Sequence, residues 1–127
     1  MSEKKFVTAI NCMDGRVQLP VINWMKKQYA ADFVDMITEP GPNKILAENK
    51  PCDLIESLKK RVEISVKKHA STMIAVIGHF DCAGNPAEKE TQLNHIKKSV
   101  KTIQSWAFNI PVIGLWIDDL WTVHKIV

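Results

Sequence analysis

The sequence predicts an α/β fold: a three-layer sandwich around a mostly parallel sheet of four or five strands, in the order 2-1-3-4. Three observations predict it. Short β-branched runs alternate with helical patterns along the chain. The clearest run, "STMIAVIG" from Ser71 to Gly78, is continuously apolar instead of alternating, as in a strand covered on both faces. Strands separated by helices also imply right-handed crossovers and therefore parallel neighbours.

Each element has its own signal. "KFVTAIN", Lys5 to Asn11, reads as a short buried strand. "PVINWMKKQYA", Pro20 to Ala30, reads as a helix with proline suitably placed in its first turn. "DFVDMIT", Asp32 to Thr38, is the second strand, and "EPGPNK", Glu39 to Lys44, is expected to be a loop because two prolines flank a glycine. A second helix should begin at Asp53, with Glu56 three residues on as a capping-box variant and Leu54, Leu58, Val62 and Val66 as its apolar face. After the third strand, Asn85 can cap a third helix, with Pro86 in its first turn and Glu88 answering the cap. Leu93, Ile96, Val100, Ile103 and Ala107 would be its buried stripe. "IPVIGLWI", Ile110 to Ile117, is the fourth strand, and "WTVHKIV", Trp121 to Val127, a candidate short edge strand.

Bulk properties narrow the function classes. A chain of 127 residues, 46% hydrophobic and 24% charged, is expected to form one globular domain over 1–127 with a core that needs no disulfide staples. A net charge of +3 is too mild for a nucleic-acid partner. Three cysteines cannot all pair within one chain, which favours a reducing compartment and a ligand or nucleophile role for any special thiol. No apolar stretch approaches the roughly 20 residues of a membrane span, and the N-terminus lacks a signal peptide's apolar region. The expectation is a cytoplasmic protein with no membrane partner.

In an open parallel sheet, ligands bind beyond the carboxyl ends of the strands where strand order reverses. With the order 2-1-3-4, that place lies between the ends of strands one and three, which carry "NCMDGR" and "GHFDCAG". His79 and Cys82 are spaced H-x-x-C, so one turn can aim both at a single ion; Cys12 would be the third ligand. Two thiolates and an imidazole suit zinc, and three protein ligands leave one tetrahedral position open, as in catalytic sites. Zinc brings the pKa of a bound water to about 7. Asp14 could then accept a hydrogen bond from the resulting hydroxide, while Arg16 holds Asp14 ionised and directed. Strand alternation would turn Cys12, Asp14 and Arg16 into one crevice and Met13 into the packing behind it. The plainer alternatives are that Cys12 is a small buried hydrophobe and Asp14–Arg16 a solvated surface pair.

C-x-D-x-R followed much later by H-x-x-C, each after a parallel strand, resembles the β-class carbonic anhydrases. The resemblance runs from strand one through strand four. It implies a β-carbonic-anhydrase-like fold, Zn2+ bound by Cys12, His79 and Cys82, and Asp14 with Arg16 as the pair beside the metal. It further implies that Asp14 can become a fourth ligand in a closed site. The implied reaction is reversible hydration of carbon dioxide to bicarbonate, in a homodimer or higher homo-oligomer. The sequence departs from the family pattern at Gly15, where serine or alanine is usual, at Ala83, where glycine is usual, and in "EPGPNK", where the pattern is closer to A-G-N. Typical members also carry an N-terminal helical arm that wraps a dimer partner and supplies a glutamine; as read, the chain starts almost directly at strand one, and that arm is expected to be missing. These departures keep two other readings open: a zinc hydrolase of carbonyl sulfide or carbon disulfide, and a non-enzymatic zinc-binding module.

The remaining candidates carry weaker signals. Cys52 has no matching partner and reads as structural or exposed. His69, His95 and His124 have no ligand spacing to another Cys or His. The paired lysines at 26, 59, 67 and 97 read as solvated helix faces. Trp106, Trp116 and Trp121 are candidates for either core or a dimer interface. A phosphatase loop needs five residues between Cys and Arg, and Cys12 to Arg16 has three. No C-x-x-C redox pair or phosphate-binding glycine loop is present.

Overall fold

The computed structural model describes residues 4–127. Five strands form one sheet: β1 (Phe6–Cys12), β2 (Phe33–Glu39), β3 (Ile74–His79), β4 (Val112–Ile117) and β5 (Val123–Lys125). Their order is β2-β1-β3-β4-β5. The first four are parallel, as the sequence predicts, and β5 pairs antiparallel with β4 as a short edge strand. The helices are α1 (Gln18–Tyr29), α2 (Pro42–Glu48), α3 (Cys52–His69) and α4 (Lys89–Gln104).

Two apolar layers explain why the central strands carry no polar alternation. On one face, Val7, Ala9, Ala75, Ile77, Ile113, Leu115 and Ile117 pack with Val21 and Met25 of α1. On the other, Ile10, Ile37, Ile74 and Val76 pack with Leu46 of α2, Ile55, Leu58 and Val62 of α3, and Val100 and Ile103 of α4. Every residue of β3 is buried. The sheet is therefore covered on both faces, and a β-branched residue stabilises the fold whichever way it points.

Four expectations need correction. The stretch Glu39–Lys44 is not all loop: β2 extends through Glu39 and α2 begins at Pro42. Gly41 takes the left-handed conformation (φ 59°) that lets the chain turn directly into that helix, and Pro42 supplies its first position. Helix α4 starts at Lys89, not near Asn85. Asn85 is buried, and its amide is turned inward, donating to His95 Nδ1 at 2.9 Å, so it is not available to cap. Ala107, expected in that helix's buried stripe, lies beyond its end and is exposed. Helix α3 begins at Cys52 with no side-chain cap; the Asp53 carboxylate accepts only from the adjacent Leu54 N–H, and the capping box does not form.

The stripes themselves shift by one position. On α3 the buried residues are Ile55, Leu58, Val62 and Ser65, with Leu54 and Val66 at the flank. Ser65 can be buried because it donates to Asp35 Oδ2 at 2.6 Å and lies 2.6 Å from Thr8 Oγ1. On α4, Gln92 and Ser99 join Ile96, Val100 and Ile103 for a comparable reason, given below.

Candidate metal centre

The carboxyl ends of β1 and β3 lie on neighbouring strands, and they bring Cys12, His79 and Cys82 together. One ligand atom from each lies within 4.8 Å of the others, and all three residues are buried. The two sulfurs are 3.8 Å apart. His79 Nδ1 is 2.7 Å from the Phe80 carbonyl, an acceptor only, so the ring proton sits on Nδ1. That leaves Nε2 with a free lone pair. Nε2 is buried and has no hydrogen-bond partner among the described residues. A buried acceptor without a partner is costly, and a cation between it and two thiolates would satisfy it. The donor set of two sulfurs and one imidazole nitrogen therefore fits a soft-to-borderline metal ion.

The charge state fits as well. The Cys12 thiol is pushed well down, chiefly by the hydrogen bond from Cys82, with further help from His79 and the Gly41 and Asp14 backbones, against the effect of burial. Cys82 is pushed up by the same pairing and by burial, while backbone groups of Asn85 and Gly84 oppose the rise. Two thiols this close share a proton, so one becomes thiolate easily while the other holds on. Burial lowers the His79 pKa, but the nearby Cys12 sulfur and the Phe80 carbonyl outweigh it and the net shift is upward. A bound cation would favour both thiolates and the neutral imidazole.

The loop that presents Cys82 is locked to the turn between β2 and α2. A Cβ on Gly84 would come within 2.7 Å of the Gly41 nitrogen, and one on Gly41 within 2.7 Å of the Gly84 carbonyl carbon. Only glycine at both positions lets the two backbones touch. Beneath them lies a buried polar network. Asn43 Nδ2 donates to Gln92 Oε1 at 2.6 Å, and Gln92 Nε2 donates to the Asn85 carbonyl at 2.7 Å. Ser99 Oγ donates to the Asn43 carbonyl at 2.7 Å. This network ties α2 and the Cys82 loop to α4, and it is why α4 buries Gln92 and Ser99.

Asp14 and Arg16 follow β1 in a 3-10 turn spanning Gly15–Val17. Because the strand ends at Cys12, its alternation stops there. Met13 is 62% exposed instead of packed behind the site, which corrects the expectation from strand periodicity. Asp14 accepts from the Arg16 backbone N–H at 2.9 Å and from Arg16 Nη2 at 2.7 Å. The Arg16 guanidinium beside it holds the Asp14 carboxyl down at about 2. Arg16 in turn is raised by its hydrogen bonds to Asp14 and Asp81. Asp14 stands outside the three-residue ligand cluster, close enough to His79 for their charges to interact.

Sequence reasoning missed several partners. Asp81 and Trp121 both contact Arg16, and Asn43, Gln92 and Gly84 support the loops. Asp81 and Gly84 lie in the quoted "GHFDCAG" stretch, but nothing in the spacing assigns them these contacts, and nothing in it links Trp121, Asn43 or Gln92 to the motif residues. The other candidates lie elsewhere: Cys52 is exposed at the start of α3, His69 Nδ1 meets Asp35 Oδ2 at 2.7 Å, and His124 Nε2 meets Asp118 Oδ2 at 2.7 Å. Trp116 is buried, whereas Trp106 and Trp121 are half-buried.

Over residues 2–127 the sequence matches the family model described as "Putative carbonic anhydrase". The chain belongs to this carbonic anhydrase family. Family and fold together support a lyase-type carbonic anhydrase. No curated protein matches by sequence. Solved structures similar to this family member are β-carbonic anhydrases. Isoform I from the protozoan Trichomonas vaginalis aligns with TM-score 0.63 and 20% identity, covering 100% of this chain and 87% of that one. One of two tetrameric enzymes from the ascomycete Sordaria macrospora aligns with TM-score 0.61 and 16% identity, covering 98% and 82%. The enzyme from the fungal pathogen Aspergillus fumigatus aligns with TM-score 0.51 and 14% identity, covering 97% and 75%. At these identities the likeness is one of fold, and it extends to the strand order read from the sequence.

Proposed function

We propose that this chain, as a single domain, catalyses the reversible hydration of carbon dioxide to bicarbonate, using zinc held by Cys12, His79 and Cys82. The observation that carries the reading is the unpartnered, buried Nε2 of His79 beside two close sulfurs, with an ionised Asp14 next to them. Zinc, when bound, supplies the Lewis acidity that brings a water's pKa near 7. The residues do the rest. The Phe80 carbonyl fixes the His79 ring and its tautomer. Asp14 accepts a hydrogen bond from the reacting water and aims its lone pair at the carbon. Arg16 keeps Asp14 charged, so that Asp14 accepts and does not donate. In the forward direction one oxygen–carbon bond forms, and one proton leaves to solvent.

Two further elements belong to the same reading. The Sordaria macrospora neighbours are described as tetrameric, which supports assembly of this chain as a homodimer or higher homo-oligomer. The three free cysteines suit a reducing, cytoplasmic setting.

Metal content and turnover test the proposal together. The wild-type chain should hold about one zinc, as a three-ligand site does, and Cys82→Ser should lose most of it. Zinc-loaded wild type should accelerate hydration above buffer in stopped-flow assays from neutral to alkaline pH. Equal zinc in both proteins would remove the metal site. Zinc binding without turnover would leave a non-enzymatic zinc module, and hydrolysis of carbonyl sulfide alone would change the substrate.

A further inference from the structure

Arg16 is held by more than Asp14. Its Nη1 lies 3.2 Å from Asp81 Oδ2, and its Nη2 also donates to the Asp81 carbonyl at 3.1 Å. The guanidinium carbon lies 4.6 Å from the ring centroid of Trp121. Trp121 comes from the turn between β4 and β5, a third segment of chain converging on this group. That turn is itself fixed. Asp118 Oδ1 accepts from the backbone N–H groups of Leu120 and Thr122, both at 2.9 Å, and Oδ2 meets His124 Nε2. The Trp121 backbone N–H donates to the Asp118 carbonyl at 3.0 Å. The half-buried Trp121 ring packs against the core layer on the α1 side of the sheet.

We propose that Trp121 is a positioning residue for the Asp14–Arg16 pair, its ring setting the plane of the Arg16 guanidinium and through it the aim of the Asp14 carboxylate. This rests on the functional reading above. The Arg16 side chain is 46% exposed, and an ion pair that open to solvent does not hold one geometry unaided. A guanidinium has donating edges and a stacking face. Asp14 and Asp81 engage the edges, which fixes direction within the plane. Trp121 covers a face, which fixes the plane. Asp14 is bound to that fork through both oxygens, so its carboxylate turns with the fork.

The test has a spectroscopic arm and a kinetic arm. In the full chain, the Arg16 Nε–H and side-chain methylene protons should show an upfield ring-current shift that Trp121→Ala removes and Trp121→Phe largely keeps. In the zinc-loaded chain, Trp121→Ala should lower kcat about two- to fivefold, the scale of one exposed cation–π contact. KM and zinc content should stay at wild-type values, and Trp121→Phe should recover most of the loss. An unshifted Arg16 in the wild type, or wild-type kcat in Trp121→Ala, overturns the proposal. So does a Trp121→Phe loss as large as that of alanine. Should the alanine variant not fold, the wild-type shift and the phenylalanine variant still decide. If the zinc-loaded wild type hydrates no carbon dioxide, the functional reading fails, and the ring-current arm alone settles whether Trp121 sets the Arg16 plane.

Discussion

Asn43, Gln92 and Asn85 are each almost fully buried, and their amides hold one another through hydrogen bonds of 2.6 to 3.4 Å. Replacing Gln92 with leucine would keep the volume but leave Asn43 Nδ2 without its acceptor, while the Asn85 carbonyl keeps only the Ala87 N–H. A buried donor left unmade costs about 1–3 kcal/mol, and Gln92→Leu should lower the denaturant midpoint accordingly. Because Asn85 follows Cys82 in the same loop, the variant should also bind zinc more weakly, which titration with a competing chelator would measure. At this scale the candidate ligands were legible and their supports were not. Cys12, His79 and Cys82 are residue types with few alternatives at that spacing. Gln92 lies in a helix where an amide every few residues is ordinary, and only its contact with Asn43, distant in sequence, gives it a role.

Helix ends and the β4–β5 turn are where elements carry conformational cost. Helix α3 ends on Ala70 at φ 54°, a left-handed conformation in which a Cβ is strained. Glycine there removes that strain at the expense of a more flexible unfolded chain. Ala70→Gly should therefore stabilise the protein by about 0.5–1 kcal/mol, seen as a rise of a few degrees in melting temperature. The β4–β5 turn makes a pH-dependent contribution. The hydrogen bond from His124, helped by the Thr122 and Leu120 backbones, holds the Asp118 carboxyl below its ordinary value. A lowered folded pKa means the unfolded chain takes up the proton first as pH falls. The stabilisation is complete above the ordinary carboxylate range and is lost as pH drops through the lower folded value. Asp118→Asn should remove that acid dependence, and exchange rates of the Leu120 and Thr122 amides should report the loss of the turn. The strands and long helices were readable because apolar runs and 3.6-residue periodicity act locally. The start of α4 is not legible in the same way, because Asn85 satisfies a cap rule locally but is used by His95 instead.

Across the whole molecule, the candidate metal centre joins two neighbouring strands and so should couple to global stability. Zinc bound only by the folded chain stabilises it in proportion to the logarithm of its free concentration over Kd. Chelation should lower the melting temperature by several degrees, and zinc at about 100 times Kd should restore about 2.7 kcal/mol. Acid should weaken binding, because both sulfurs must be deprotonated to coordinate. The fold class, the strand order and the placing of the three candidate ligands at one sheet edge followed from the sequence by itself, since continuous apolar strands between helices allow few topologies and the rule for parallel sheets places chemistry at the strand ends. The structure alone decided which groups surround that chemistry: the Gly41–Gly84 contact, the amide network beneath it, and Asp81 and Trp121 on Arg16. These are contacts between segments far apart in the chain. Periodicity and motif spacing describe what a residue's near neighbours require, whereas a close backbone approach or a stacked ring exists only after the sheet has brought distant loops to the same edge.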